Sequence, residues 1–279
     1  MKASEECYEC LHKLAVQAAN FASDDENLVS TATEACIKIL RDDFSTEKIS
    51  IVIAAKMHDA IKLITSNTDP YRAVKDQEIE TARQLYEEIK SSYKDSFEDY
   101  IKIAALGNAL DFFRPIEAAK ADMRRKIEFV IDDSREFEVK MKRAMNVLYL
   151  ADNAGEVYFD IPLLRWMKKF SAVTYVVKAA PVQNDITLQD IRYAGLEYEV
   201  GGVITTGTAT PGIDFNQASD DFKAAFESAD FVFAKGMGYY ETLSELPPEG
   251  RVFYCLKAKC QPVADSLEVP LNSYVAMLR

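Results

Sequence analysis

The sequence predicts an α/β protein: a helical part over residues 1–145, then an α/β part with a mainly parallel sheet over residues 146–279. Two observations predict this. Apolar residues recur at three- and four-residue spacing through the first half. From Asn146 the period changes, and short apolar runs alternate with helical stretches.

In the first half, Leu11-Leu14-Ala18-Phe21, Ala35-Ile37-Leu40 and residues 51–64 each place apolar side chains on one helical face. Residues 65–69 read as a loop, and Pro70 suits the start of a helix. Residues 77–90 form an amphipathic helix with a charged outer face. Residues 97–113 are too apolar for a surface helix and are expected inside, with Arg114-Pro115 ending them. The densely charged residues 120–143 are expected to cover the junction. Beyond it, residues 147–150, 173–177, 198–204, 231–234 and 252–256 read as strands. Helices are expected between them at 158–170, 186–194, 215–228 and 239–246. Such alternation implies right-handed crossovers, with ligands bound outside the carboxyl ends of the strands.

A net charge of −12 and a pI near 4.8 argue against nucleic acid and anionic membrane as partners. No apolar run approaches the roughly 20 residues of a membrane span, and the first residues lack the apolar stretch of a signal peptide. Five cysteines in 279 residues do not make a disulfide framework, so a reducing cytoplasm is expected. His12 and His58 are the two histidines, both read as ordinary helix residues. The α/β half therefore has neither a Ser-His-Asp triad nor an imidazole metal site.

The chain is organised around residues 147–160, Val-Leu-Tyr-Leu-Ala-Asp-Asn-Ala-Gly-Glu-Val-Tyr-Phe-Asp. A buried strand, a tight turn at Ala154-Gly155 and an amphipathic helix from Glu156 form an anion-binding corner of α/β folds. Yet Asp152 and Asn153 stand where a dinucleotide-binding turn has glycine. A bare carboxylate repels phosphate. A divalent cation between them makes the pair attractive, and Asp with Asn supplies two hard oxygen ligands. The other strand ends are polar too: Lys178 with Asn184-Asp185, Thr205-Thr206-Gly207, Lys235-Gly236 and Lys257.

The chain resembles the metal-dependent damage-control phosphatases, also known as domain-of-unknown-function family 89, over nearly its full length. The resemblance rests on Cys7-Tyr8-Glu9-Cys10, Asp69-Pro70-Tyr71 with Lys75, and Gly107-Asn108-Ala109-Leu110-Asp111-Phe112. It continues through Asp152-Asn153-Ala154-Gly155-Glu156, Asn184-Asp185, Gly207 with Pro211-Gly212, and Lys235-Gly236-Met237-Gly238-Tyr239-Tyr240-Glu241. The early Cys-x-x-Cys is similar to that of the microbial and archaeal branch. The resemblance implies helices on a three-layer α/β/α sandwich with a Rossmann-like sheet. It also implies hydrolysis of small phosphorylated metabolites, such as sugar phosphates or damaged cofactor intermediates.

On that resemblance Asp152, Asn153 and Asp185 are the metal ligands, and two carboxylates with an amide suit Mg, Mn, Co or Ni. The alternative is that Asp152 and Asn153 merely cap a helix. The attacking group is a water or the Asp152 carboxylate. Glu156 is a candidate proton acceptor or water-orienting group, or a complement to the helix dipole. Lys235 before Gly-x-Gly is a candidate phosphate clamp, or a strand-end lysine with its ammonium in water. Asn108 and Asp111 share a helix face, at the cleft floor or in a core network. Gly155, Thr206 and Gly207 complete the phosphate and substrate set. Cys7 and Cys10 are core cysteines or a second metal or redox site. The rival function is a non-catalytic nucleotide- or phosphometabolite-binding protein, with Asp152 holding a ribose.

Overall fold

The computed structural model describes residues 1–108 and 127–279. Five helices come first: α1 (Glu5–Ala22), α2 (Glu26–Asp43), α3 (Ser50–Thr65), α4 (Arg72–Ile89) and α5 (Phe97–Gly107). Helices α1 to α3 close on a core of their own that includes Leu11, Leu14, Cys36, Leu40 and Met57. Asp25 starts α2 by accepting from the Asn27 and Leu28 N–H groups, and Ser96 starts α5 by accepting from Asp99 N–H. As its composition predicts, α5 is buried on the sheet side of the molecule.

Seven strands form one sheet: β1 (Phe129–Asp132), β2 (Asn146–Leu150), β3 (Ala172–Val177), β4 (Val203–Thr205), β5 (Phe231–Lys235), β6 (Val252–Lys257) and β7 (Tyr274–Leu278). Their order is β1-β7-β6-β5-β2-β3-β4, and every pairing is parallel except β6 with β7. Along β2, Val147 and Tyr149 enter one core and Leu148 and Leu150 the other, as a strand covered on both faces requires. The first core is closed by α5, α6 (Ser134–Met141) and α7 (Val157–Met167). The second is closed by α10 (Asp220–Ser228), α11 (Gly236–Leu243) and α12 (Gln261–Leu267). The result is the expected three-layer α/β/α sandwich. Between β3 and β4 lie the short helices α8 (Leu188–Ala194) and α9 (Glu197–Val200).

Several expectations need correction. The strand expected over 198–204 shrinks to β4: Glu197–Val200 is a helical turn, and Gly201, at φ 73°, turns the chain before the strand starts. The stretch 120–143, read as helical, contains β1, whose Val130 and Asp132 face solvent. The edge position explains its mixed composition. Strand β7 and helix α12 were not expected. Helix α7 was expected to be amphipathic but is buried almost all round, with Asp160 enclosed among its apolar residues.

His58, on α3, is fully buried with its Nε2 unpaired among the described residues, its ring edge-on to Tyr71 at 5.7 Å. Burial, helped by the Lys62 charge, lowers its pKa from 6.5 to about 3. The folded state therefore binds fewer protons than the unfolded chain between those values. The His58 contribution costs nothing above pH 6.5 and destabilises the fold as the pH drops, by about 1.4 kcal/mol per unit in the steep part. His58→Leu is expected to flatten that slope between pH 6.5 and 4.5, read by urea denaturation at stepped pH.

Candidate active site

From β2 the chain runs outward through β3 and β4, then returns to lay β5 on the other side of β2. At such a reversal the segments leaving adjacent strands diverge and open a crevice. Asp152 and Asn153 leave β2 there, and Lys235-Gly236 leaves β5. The backbone then brings a third segment in. Ile186 N–H donates to Asp152 O and Ala154 N–H to Asn184 O, both at 2.8 Å, with Asn153 and Asp185 opposed as an antiparallel bridge. Asp152, Asn153 and Asp185 consequently line one cleft of about 200 Å³. Its roof is Leu11 and Leu14 of α1 with Ile51 and Ala54 of α3, and Pro211, Gly212, Met237 and Gly238 form its sides.

A buried network lies behind this cleft. Asn108 Nδ2 donates to Glu156 Oε1 at 2.7 Å and to Asp152 Oδ2 at 3.1 Å, while Lys257 N–H donates to its Oδ1. Asn153 Nδ2 also donates to Glu156, at 2.8 Å. Glu156 itself is fully buried and pairs with Lys235 at 2.7 Å. Lys235 was expected to clamp phosphate. Its ammonium is instead enclosed between Glu156 and Asp160, each at 2.7 Å. Asp160 further accepts from the Tyr149 and Tyr175 hydroxyls, at 2.6 and 2.8 Å. Gly236 must be glycine: at φ 75°, a Cβ there would lie 1.9 Å from Asp152 Oδ2. The Lys-Gly pair is thus one device, the lysine anchoring Glu156 and the glycine making room for Asp152.

Burial, reinforced by the Glu156 and Asp185 carboxylates, holds Asp152 well above the usual carboxylate range. Burial likewise lifts Asp185 to about 6, against the pull of Lys178. Lys178 is fully buried, 3.4 Å from Asp185 and 3.0 Å from Tyr239 Oη, and also donates to Gly212 O. Such concentrated acidity fits a cation. The Asn153 amide turns its nitrogen to the acids, leaving Oδ1 with no hydrogen bond among the described residues. Two carboxylates and one amide oxygen form a hard donor set. Among the described residues, no three carboxylate, imidazole or thiol groups form a ligand set by themselves, so the amide is essential to this reading.

The remaining candidates are dispersed. Gly155 is buried in a tight helical turn, Ala154–Glu156. Thr206 bonds within its own loop to Thr208, and neither it nor Gly207 lines the cleft. Gly207, at φ 79°, passes so close to Ser219 that a Cβ would lie 2.6 Å from its nitrogen, which explains the glycine structurally. Asp111 lies outside the described residues. Cys10 is exposed on the cleft wall; Cys7 accepts a 3.4 Å hydrogen bond from Ser4 N–H at the start of α1.

The family model for the damage-control phosphatase ARMT1-like domain matches residues 3–275. The chain belongs to this family. It is 35% identical to a damage-control phosphatase of Pyrococcus horikoshii over 283 residues, covering 99% of this chain and 98% of that one. It is 32% identical to a damage-control phosphatase of Archaeoglobus fulgidus over 287 residues, with 99% of each covered. The crystal structure of a DUF89 family protein from Pyrococcus horikoshii superposes with a TM-score of 0.90 at 34% identity, over 100% of this chain and 99% of that one. Family membership makes this protein a phosphatase by class.

Three features in and around this candidate site are not evident in the sequence. Lys259 lines the cleft, and its charge opposes the rise in the Asp152 pKa. Asp160 was detectable as an acid inside an apolar helix. The third is a latch from α4. Both Glu78 oxygens accept from Asn184 Nδ2 at 3.0 Å, and Asp190 pairs with Arg72 at 2.6 Å and Lys75 at 3.2 Å. Helix α4 thereby fixes the loop that presents Asp185.

Proposed function

We propose that the chain is a metal-dependent phosphatase for a small phosphomonoester, a sugar phosphate or damaged cofactor intermediate. The observation that carries this is the convergence of Asp152, Asp185 and the open Asn153 Oδ1 on one cleft. These three would hold a divalent cation of the Mg, Mn, Co or Ni type, which supplies positive charge to the phosphoryl oxygens as negative charge develops. Asn108, Glu156 and Lys235 keep the two β2 ligands in place from behind. Lys259 adds a cation on the cleft side for the anionic ester. Free thiols at all five cysteines fit a reducing cytoplasm, and no described helix is long and apolar enough to cross a membrane.

The ribose-binding rival fits less well. A neutral ribose brings no positive charge to Asp152, which is buried and crowded by the Glu156 and Asp185 carboxylates, whereas a cation does. The test is hydrolysis of p-nitrophenyl phosphate and a panel of metabolite phosphates by chelator-stripped protein, adding back single metals. Activity that returns with a metal supports the reading; inertness of the whole panel with every metal ends it. Lys259→Ala is expected to raise KM about tenfold, the loss of one charge-assisted contact, with a smaller change in kcat.

A further inference from the structure

Glu241 is a cleft carboxylate that the proposed chemistry leaves unused. It stands on α11, whose first residue, Gly236, abuts Asp152. Five residues at about 1.5 Å each carry Glu241 about 7–8 Å further along the helix. It lines the same cleft as the three candidate ligands. Its Oε2 accepts from Ser50 Oγ at 2.8 Å, and its Oε1 has no hydrogen bond among the described residues. Leu11, Leu14, Ile51 and Met237 add apolar lining to the same cleft. Glu241 feels the N-terminal ammonium of Met1, yet Oε1 itself keeps its capacity to accept from a hydroxyl brought into the cleft.

We propose that Glu241 selects the alcohol half of the substrate by accepting a hydrogen bond from a hydroxyl. Resting on the phosphatase reading above, this deepens it. The substrate class is the phosphomonoester of a short polyol or sugar, phosphate at Asp152 and hydroxyl at Glu241, with its carbon chain along the apolar lining. A phosphate followed by three or four carbons is about as long as the stretch of helix from Gly236 to Glu241. The cleft, at about 200 Å³, is smaller than the roughly 300–1,000 Å³ of sites for drug-sized ligands, which suits such a compound.

The test compares kcat/KM for matched pairs in metal-loaded protein: glycerol 3-phosphate against propyl phosphate, and sorbitol 6-phosphate against hexyl phosphate. Wild type is expected to prefer the hydroxylated member of at least one pair by about tenfold to a hundredfold, the worth of a hydrogen bond to a charged group. Glu241→Leu should bring that ratio close to one, and Glu241→Gln, which keeps an acceptor oxygen, should fall between. Melting temperatures confirm that both variants fold. A general structural role would lower both members of a pair together and leave the ratio unchanged, which overturns the inference. So does a wild type without preference in either pair. Should wild type hydrolyse no ester here or in the wider panel, with any metal, the phosphatase reading has failed, and this inference with it.

Discussion

Asp152→Ala is expected to lower metal-dependent hydrolysis by on the order of 10³-fold or more, since in the proposed site it would remove a ligand on which several kcal/mol of charge stabilisation would depend. The same change should leave the metal-free protein as stable as wild type, or more so. In the metal-free fold burial, then the neighbouring Glu156 and Asp185 carboxylates, drive the Asp152 pKa up. Removing it relieves repulsion. Metal should raise the melting temperature of wild type, because a cation at 100 times its Kd stabilises by about 2.7 kcal/mol, and that rise should vanish in the variant. Thermal melts with and without metal, run beside the activity assay, check both halves. A variant that loses activity while keeping the full metal-induced rise would place the cation elsewhere.

Lys235→Met should give the largest loss of stability, about 3–5 kcal/mol, the usual result of breaking a buried ion pair from one side. The lysine is fully buried and touches two carboxylates. Burial alone would lower its pKa, but Asp160 and Glu156 more than reverse that and keep the ammonium charged. Without it two acids face each other in an apolar layer. The melting temperature should fall by roughly 10 °C, taking 2–4 °C per kcal/mol for a chain of this size class. Asp160→Asn in the same chain should recover part of the loss, because one carboxylate fewer is left unpaired, and a double-mutant cycle measures the coupling. A variant of near-normal stability with a raised KM would show the lysine working on phosphate after all.

The sequence and the structure agree best where a side chain's role follows from its place along one strand. Asp152 and Asn153 could be read as a site because they follow directly on a uniformly apolar run. Lys235 shows the limit. Its place at a strand end was legible, but its partners Glu156 and Asp160 lie 79 and 75 positions away, so its buried pairing was not. Asp160 had a signal, an acid amid Val157-Tyr158-Phe159 and Ile161, that the helical spacing masked. Lys259 and the Glu78–Asn184 contact had none, since both depend on how loops meet. Strand β1 was hidden by charge, as an edge strand exposes every second residue and mimics a surface helix over four positions.

The sheet's two borders, β1 and β4, are also its shortest strands, with four and three residues. A border strand offers unpaired N–H and C=O groups to any extended chain that drifts past, and a longer one makes a better template. Here neither offers more than a few such groups, whereas the longer interior ladders are enclosed on both sides. A chain cut at residue 145 would lose β1 and leave the five residues of β7 as the new border. Such a fragment should be prone to edge-to-edge aggregation even if the Asp152 corner survived.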